Sequence, residues 1–128
     1  LQSIFATRRL FEDDMLMHCT DVAKLRPVKR ALARVKVADT AADQAQEIFS
    51  FYHQIAIASG NAVTPLLILH FQSIYLTLGR WLLQSGYQAA LIHRMDTVLV
   101  ALVAGEQDTA RQRNDELIDF CLASLLPD

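Results

Sequence analysis

Glycine and proline are scarce in this 128-residue chain, four and three in all. So little turn material excludes low-complexity and collagen-like chains and leaves a compact, helix-leaning composition. Phosphate-cradling loops need several glycines, or a G-x-G-x-x-G after a strand. Here a single glycine, Gly60 in "AIASGNAVTPL", follows an apolar helical run. "SGN" therefore reads as one helix stopping and another starting. Cysteine is scarce too. Cys19 and Cys121 form no C-x-x-C, and the expected reading is two reduced, largely buried thiols in the cytoplasm. The histidines, His18, His53, His70 and His93, make no H-x-x-x-H pair, so no metal and no cofactor is expected. His93 and Asp96 are three apart and could share a helix face, but a surface histidine is the plainer reading.

Strong charge of one sign is also missing. A net charge of −2 argues against a dedicated nucleic-acid binder while leaving room for a local basic patch. No segment alternates with period two, and no strained nucleophile elbow is present. Asp13-Asp14 and Asp115-Glu116 read as solvated helix faces rather than acid–base pairs. The chain is not expected to be an enzyme.

What is present is apolar and periodic. Apolar residues make up 52% of the chain, enough for one domain, 1–128, with a real core. A first helix is predicted over about 1–20, with its stripe on Ile4, Phe5, Leu10, Phe11, Met15 and Met17. A second starts near Pro27, a favoured first-turn residue, and packs through Val28, Ala31, Leu32 and Val35. Asp39 or Thr40 caps a third, which runs to about Ser59 with Ile48, Phe51, Tyr52, Ile55 and Ala56 inward. Asn61 or Thr64 starts the next, with Pro65 in its first turn. From Leu66 to Leu83, twelve of eighteen residues are apolar. His70, Gln72, Ser73, Thr77 and Arg80 interrupt that run, so a central bundle helix is expected rather than a membrane span. A fifth helix covers about 88–104, and a sixth, capped by Asp108, runs to about Leu125 before Pro127. The fold class is all-α, an antiparallel bundle of about six helices.

Two features invite function. Lys24, Arg26, Lys29, Arg30, Arg34 and Lys36 hold half of the basic residues, with no acid between Val22 and Ala38. The plain reading is a solvated helix face; the sharper one is a surface for an acidic partner or DNA phosphates. The second feature is Gln72, Ser73, Tyr75 and Arg80 on an otherwise apolar helix. Buried polar groups need partners, water or a ligand, so these residues either line a cavity or bond to neighbouring helices.

"FYHQIAIASGNAVTPLLILHFQSIYLTLGRW", residues 51–81, resembles the C-terminal effector domain of FadR-type regulators in the GntR family. "IYLTLGR" is similar to the fatty-acid regulator's "LYTRIGR". "ATRRLFED" at 6–13 resembles that domain's first helix, and "LVALVAGEQDTARQR" its last helical hairpin. The resemblance spans nearly the whole chain. It implies a helical bundle that binds a small effector in its interior, forms a homodimer, and follows a winged-helix domain that contacts DNA. The chain opens at Leu1, mid-pattern and without a methionine, and is expected to be a fragment or processed chain preceded by that domain. Many relatives hold a metal with one Asp and three His. Those places fall at Ile48, Tyr52, Asp96 and Asp119, where no histidine stands and Ile48 cannot ligate. The acyl-CoA-binding relatives use an Arg and a Tyr that match Arg8 and Tyr75. Other acyl-CoA contacts fall at Leu82, Met95, Phe120 and Leu125, which differ from the family residues. The resemblance thus implies Arg8, Tyr52, Tyr75, Asp96 and Asp119 as ligand-binding residues and an effector with an acidic head and an apolar body. The alternative is a structural dimerisation bundle with a filled core.

Overall fold

The computed structural model describes residues 1–126. Among them it holds seven α-helices and a short 3-10 turn, with no strand. The helices are α1 (Gln2–Met17), α2 (Arg26–Val37), α3 (Ala41–Ala58), α4 (Val63–His70), α5 (Gln72–Gln84), α6 (Gln88–Val103) and α7 (Gln107–Leu125); the turn is Val22–Leu25. Short loops make α2–α3 and α6–α7 antiparallel hairpins, and α1 closes the bundle against α7 and α3. The all-α bundle is therefore the fold.

Local chemistry sets the boundaries. Thr40 caps α3, its hydroxyl accepting from the Asp43 N–H at 3.0 Å. After α3, Gly60 takes the left-handed conformation (φ +81°) in which its N–H bonds back to the Ile57 carbonyl. The Asn61 side chain then accepts from the Val63 N–H at 2.9 Å and turns the chain into α4. "SGN" is thus helix punctuation. Asp108 is not a cap: α7 begins one residue earlier, and Asp108 sits in its first turn bonded to Arg111. The expected stop at Pro127 lies outside the described residues.

The long apolar helix expected at 66–83 is two helices, bent by 57° at Phe71. No proline or glycine forces the break. The turn tightens there, with the Phe71 N–H reaching the Ile68 carbonyl, and the Phe71 ring stacks on Phe11 of α1 at 5.3 Å. No single described helix is long and apolar enough to cross a membrane. Beyond the break, α5 lies close against α3, because at Gly79 only a missing side chain separates the backbone from Ala45.

The core runs the length of the bundle. Phe51, Tyr52, Ile55, Leu25, Leu32, Ile68, Met95, Leu102, Leu117 and Ile118 are fully buried. On α1 the expected stripe is only partly right. Phe5, Phe11, Met15 and Leu16 are buried, whereas Ile4, Leu10 and Met17 are exposed. The side chain that takes the centre of the buried face is Glu12. An ionisable group at zero exposure inside an apolar bundle requires compensating partners.

Candidate functional site

Glu12 has them. Its Oε2 accepts from Arg8 Nε and from the Tyr75 hydroxyl, and its Oε1 accepts from Asn114 Nδ2 at 2.8 Å. Asn114 Oδ1 in turn accepts from the Tyr52 hydroxyl at 2.7 Å. Four helices contribute: α1 supplies Arg8 and Glu12 one turn apart, α3 Tyr52, α5 Tyr75, and α7 Asn114. The Arg8 guanidinium lies over both the Tyr52 and Tyr75 rings, 4.9 Å from each centroid, and the two rings contact each other at 5.9 Å.

The electrostatics follow from this packing. Burial opposes the Arg8 charge, but the Glu12 carboxylate and the tyrosine oxygens outweigh it, so Arg8 is held protonated more firmly than a free arginine. Burial, reinforced by Glu12, pushes both tyrosine hydroxyls well above their ordinary range, and they stay donors. Burial also pushes up both thiols, Cys19 to about 12, which leaves them unreactive as expected for interior cysteines.

Beside this network is an interior cavity of about 40 Å³, lined by Phe5, Arg8, Ile48, Tyr52, Tyr75 and Leu82 among others. That is room for about one or two waters. Ile4, Ile74 and Leu78 line both this cavity and an open cleft of about 250 Å³ between α1 and α5, so they form its mouth. Arg8 donates from Nε to Glu12 and lies within hydrogen-bonding reach of the Tyr52 hydroxyl and the Cys121 thiol. Arg8 lines the cavity, and its side chain keeps 15% exposure.

Compared with protein-family models and with curated proteins, the sequence matches none.

Of the five expected ligand-binding residues, Arg8, Tyr52 and Tyr75 come together at the cavity. Asp96 and Asp119 do not. Asp96 pairs with Lys36 at 3.0 Å, and Asp119 pairs with Arg9 on the solvent side of α7. Ile48 lines the cavity, so the four counted metal places are scattered; no group of three ligating side chains exists among the described residues. Of the polar residues expected on the central helix, Tyr75 alone reaches the interior cavity; Ser73 and Thr77 line the outer cleft, and Arg80 is exposed. Glu12 and Asn114 are the residues that sequence reasoning missed. The available signal was spacing. Phe5, Arg8, Glu12 and Met15 lie on one face of α1, and Asn114 falls between Ala110 and Leu117 on the buried face of α7.

A second carboxyl cluster joins the same two helices. Asp13 and Asp115 lie within hydrogen-bonding reach, flanked by Arg9 and Arg111. One buried oxygen of each has no hydrogen-bond donor. Desolvation, then the facing Asp115, raises the Asp13 carboxyl to about 7.

Two outcomes are expected. Glu12→Gln leaves the buried Arg8 charge uncompensated and costs about 3 kcal/mol, roughly 10 °C in Tm. Adding Arg8→Met to that variant recovers more than half of the loss in urea denaturation; no recovery would show that Arg8 and Glu12 are not coupled. The second concerns pH. Asp13 binds its proton more tightly folded than unfolded, so its stabilising contribution is complete below the ordinary carboxyl value and is lost as pH rises through about 7. Solvent screening at this half-exposed pair limits the effect to about 1 kcal/mol. The Tm difference between wild type and Asp13→Asn should shift in favour of the variant between about pH 5 and about pH 8. A difference independent of pH contradicts the shared proton. Taking the difference removes the contribution of His53, whose partial burial lowers its own pKa in both proteins.

Proposed function

We propose that this chain is the effector-binding and dimerisation domain of a transcription regulator similar to the GntR/FadR type, without catalytic activity. The observation that carries the reading is the Arg8 guanidinium, held against two tyrosine rings in the lining of a largely apolar cavity with a mouth to solvent. The effector it suits has an acidic head and an apolar body. The head occupies the cavity against Arg8, and the body passes Ile4, Ile74 and Leu78 into the cleft. Cavity and cleft together lie near the lower end of the ~300–1,000 Å³ range of small-molecule pockets.

Regulation then works by linkage. The cavity walls come from α1, α3, α5, α6 and α7, so an effector inside favours one arrangement of the bundle over another. A dimer passes that arrangement to the two attached DNA-binding domains. Support for the dimer comes from α4, where Thr64 and Ile68 are buried while Val63, Leu66, Leu67 and Leu69 are exposed. A helix this apolar on its outer side suits a second copy of the chain. The second reading is a structural bundle without effector. What favours it is the size of the interior cavity, about 40 Å³.

A panel of straight-chain carboxylates of about four to ten carbons separates the two readings. At least one member should raise Tm. Its affinity should fall about tenfold in Tyr75→Phe, which loses a hydroxyl, and in Arg8→Lys, which keeps the charge that Glu12 needs but loses the planar fork. If no member shifts Tm, or both variants bind as wild type does, the effector reading fails. Independently, light scattering should report a dimer that Leu66→Glu converts to monomer; a wild-type monomer at about 100 μM would remove the dimerisation role.

A further inference from the structure

The exposed face of α2 is used neither by the cavity nor by α4. Val28, Ala31, Leu32 and Val35 are buried, so the helix is anchored by its apolar side. The opposite side carries Arg26, Lys29, Arg30 and Arg34, with Lys24 in the preceding turn and Lys36 near the end; all six are exposed. Arg34 pairs with Glu47 of α3, and Lys36 with Asp96 of α6. Lys24, Arg26, Lys29 and Arg30 have no ion-pair partner among the described residues. Asp21 and Asp39 flank the stretch at its ends, and no acid lies within it. The remainder of the chain carries six cations against eight more acids than that. The modest net charge therefore conceals a polar molecule with one strongly positive edge.

We infer that this edge of α2 is a phosphate-backbone surface, by which the domain itself lies against duplex DNA. Charge complementarity selects the occupant. Four unpaired cations within seven residues repel one another, and a polyanion relieves that repulsion. Duplex DNA presents one charge per ~1.7 Å of axis, and the ~18 Å of α2 runs beside about ten of them. Single-stranded nucleic acid is disfavoured because no aromatic residue stands among the cations for bases to stack on. A lipid surface is disfavoured because the apolar side of α2 is spent on the core and cannot insert. The acidic remainder of the molecule is repelled by DNA and so orients this edge toward it. Contacts of this kind position a protein without reading sequence.

The test uses the 128-residue chain, a labelled duplex of about 20 bp and fluorescence anisotropy from ~25 to ~200 mM NaCl. Wild type should bind at the lowest salt, with log K falling against log[salt] at a slope of about −3.6, as four phosphate contacts require. The variant K24Q/R26Q/K29Q/R30Q should lose at least tenfold in affinity together with most of the slope. Removing Arg80 and Arg113, exposed cations elsewhere, should change affinity by less than about twofold, the loss of a diffuse charge effect. Absence of duplex binding at ~25 mM salt, or equal binding by the quadruple variant, overturns the inference. Binding to phosphatidylserine vesicles or polyglutamate as tight as to duplex at equal salt also overturns it. The variants leave Arg8 and Tyr75 intact, so the outcome is separate from that of the effector reading.

Discussion

A carboxylate with no solvent exposure is the constraint around which this bundle is arranged. The buried carboxyl of Glu12 is satisfied because α1 delivers Arg8 one turn earlier, α5 delivers Tyr75 and α7 delivers Asn114. Removing one partner of such a pair costs about 3–5 kcal/mol, a large part of the ~5–15 kcal/mol that holds a domain together. Replacing both partners by apolar side chains is often neutral or stabilising. Stability alone therefore does not call for the pair. What the pair provides is a polar floor in an apolar cavity, fixed by side chains from four helices.

The same network ties the cavity to the arrangement of the helices. A group placed against Arg8 acts on α1 directly and on α5 through Tyr75, and the Phe71 break leaves α5 free of the direction of α4. The mouth residues Ile74 and Leu78 sit on α5, which packs chiefly on α3 and more lightly on α7. Two carboxyls, Asp13 and Asp115, bridge the other side of the α1–α7 contact, which makes that contact sensitive to pH.

Most of the helix boundaries were legible in the sequence because short-range chemistry sets them. Thr40 before Asp43, and Gly60 and Gly105 after apolar runs, act within one turn of their own positions. The Phe71 break was not legible. The run from Leu66 is apolar on every side, so its periodicity carries no phase, and the ring stack that bends it depends on Phe11, sixty residues away in the chain. Arg8 and Tyr75 were reached through resemblance. Glu12 was hidden because the α1 stripe was traced through Leu10 and Met17, which the structure exposes. Its partner Asn114 is 102 residues away, beyond any spacing rule. Asp96 and Asp119 came from the resemblance alone, and both pair with cationic side chains, Lys36 and Arg9, instead of facing the cavity.

Native mass spectrometry of the purified chain tests the central claim most directly. The account predicts a dimer of the 14.4 kDa subunit, with one small acidic molecule per subunit either carried through purification or taken up from the carboxylate panel. That extra mass should be weakened in Tyr75→Phe. A bare subunit mass under every condition, with the fold intact, would contradict it.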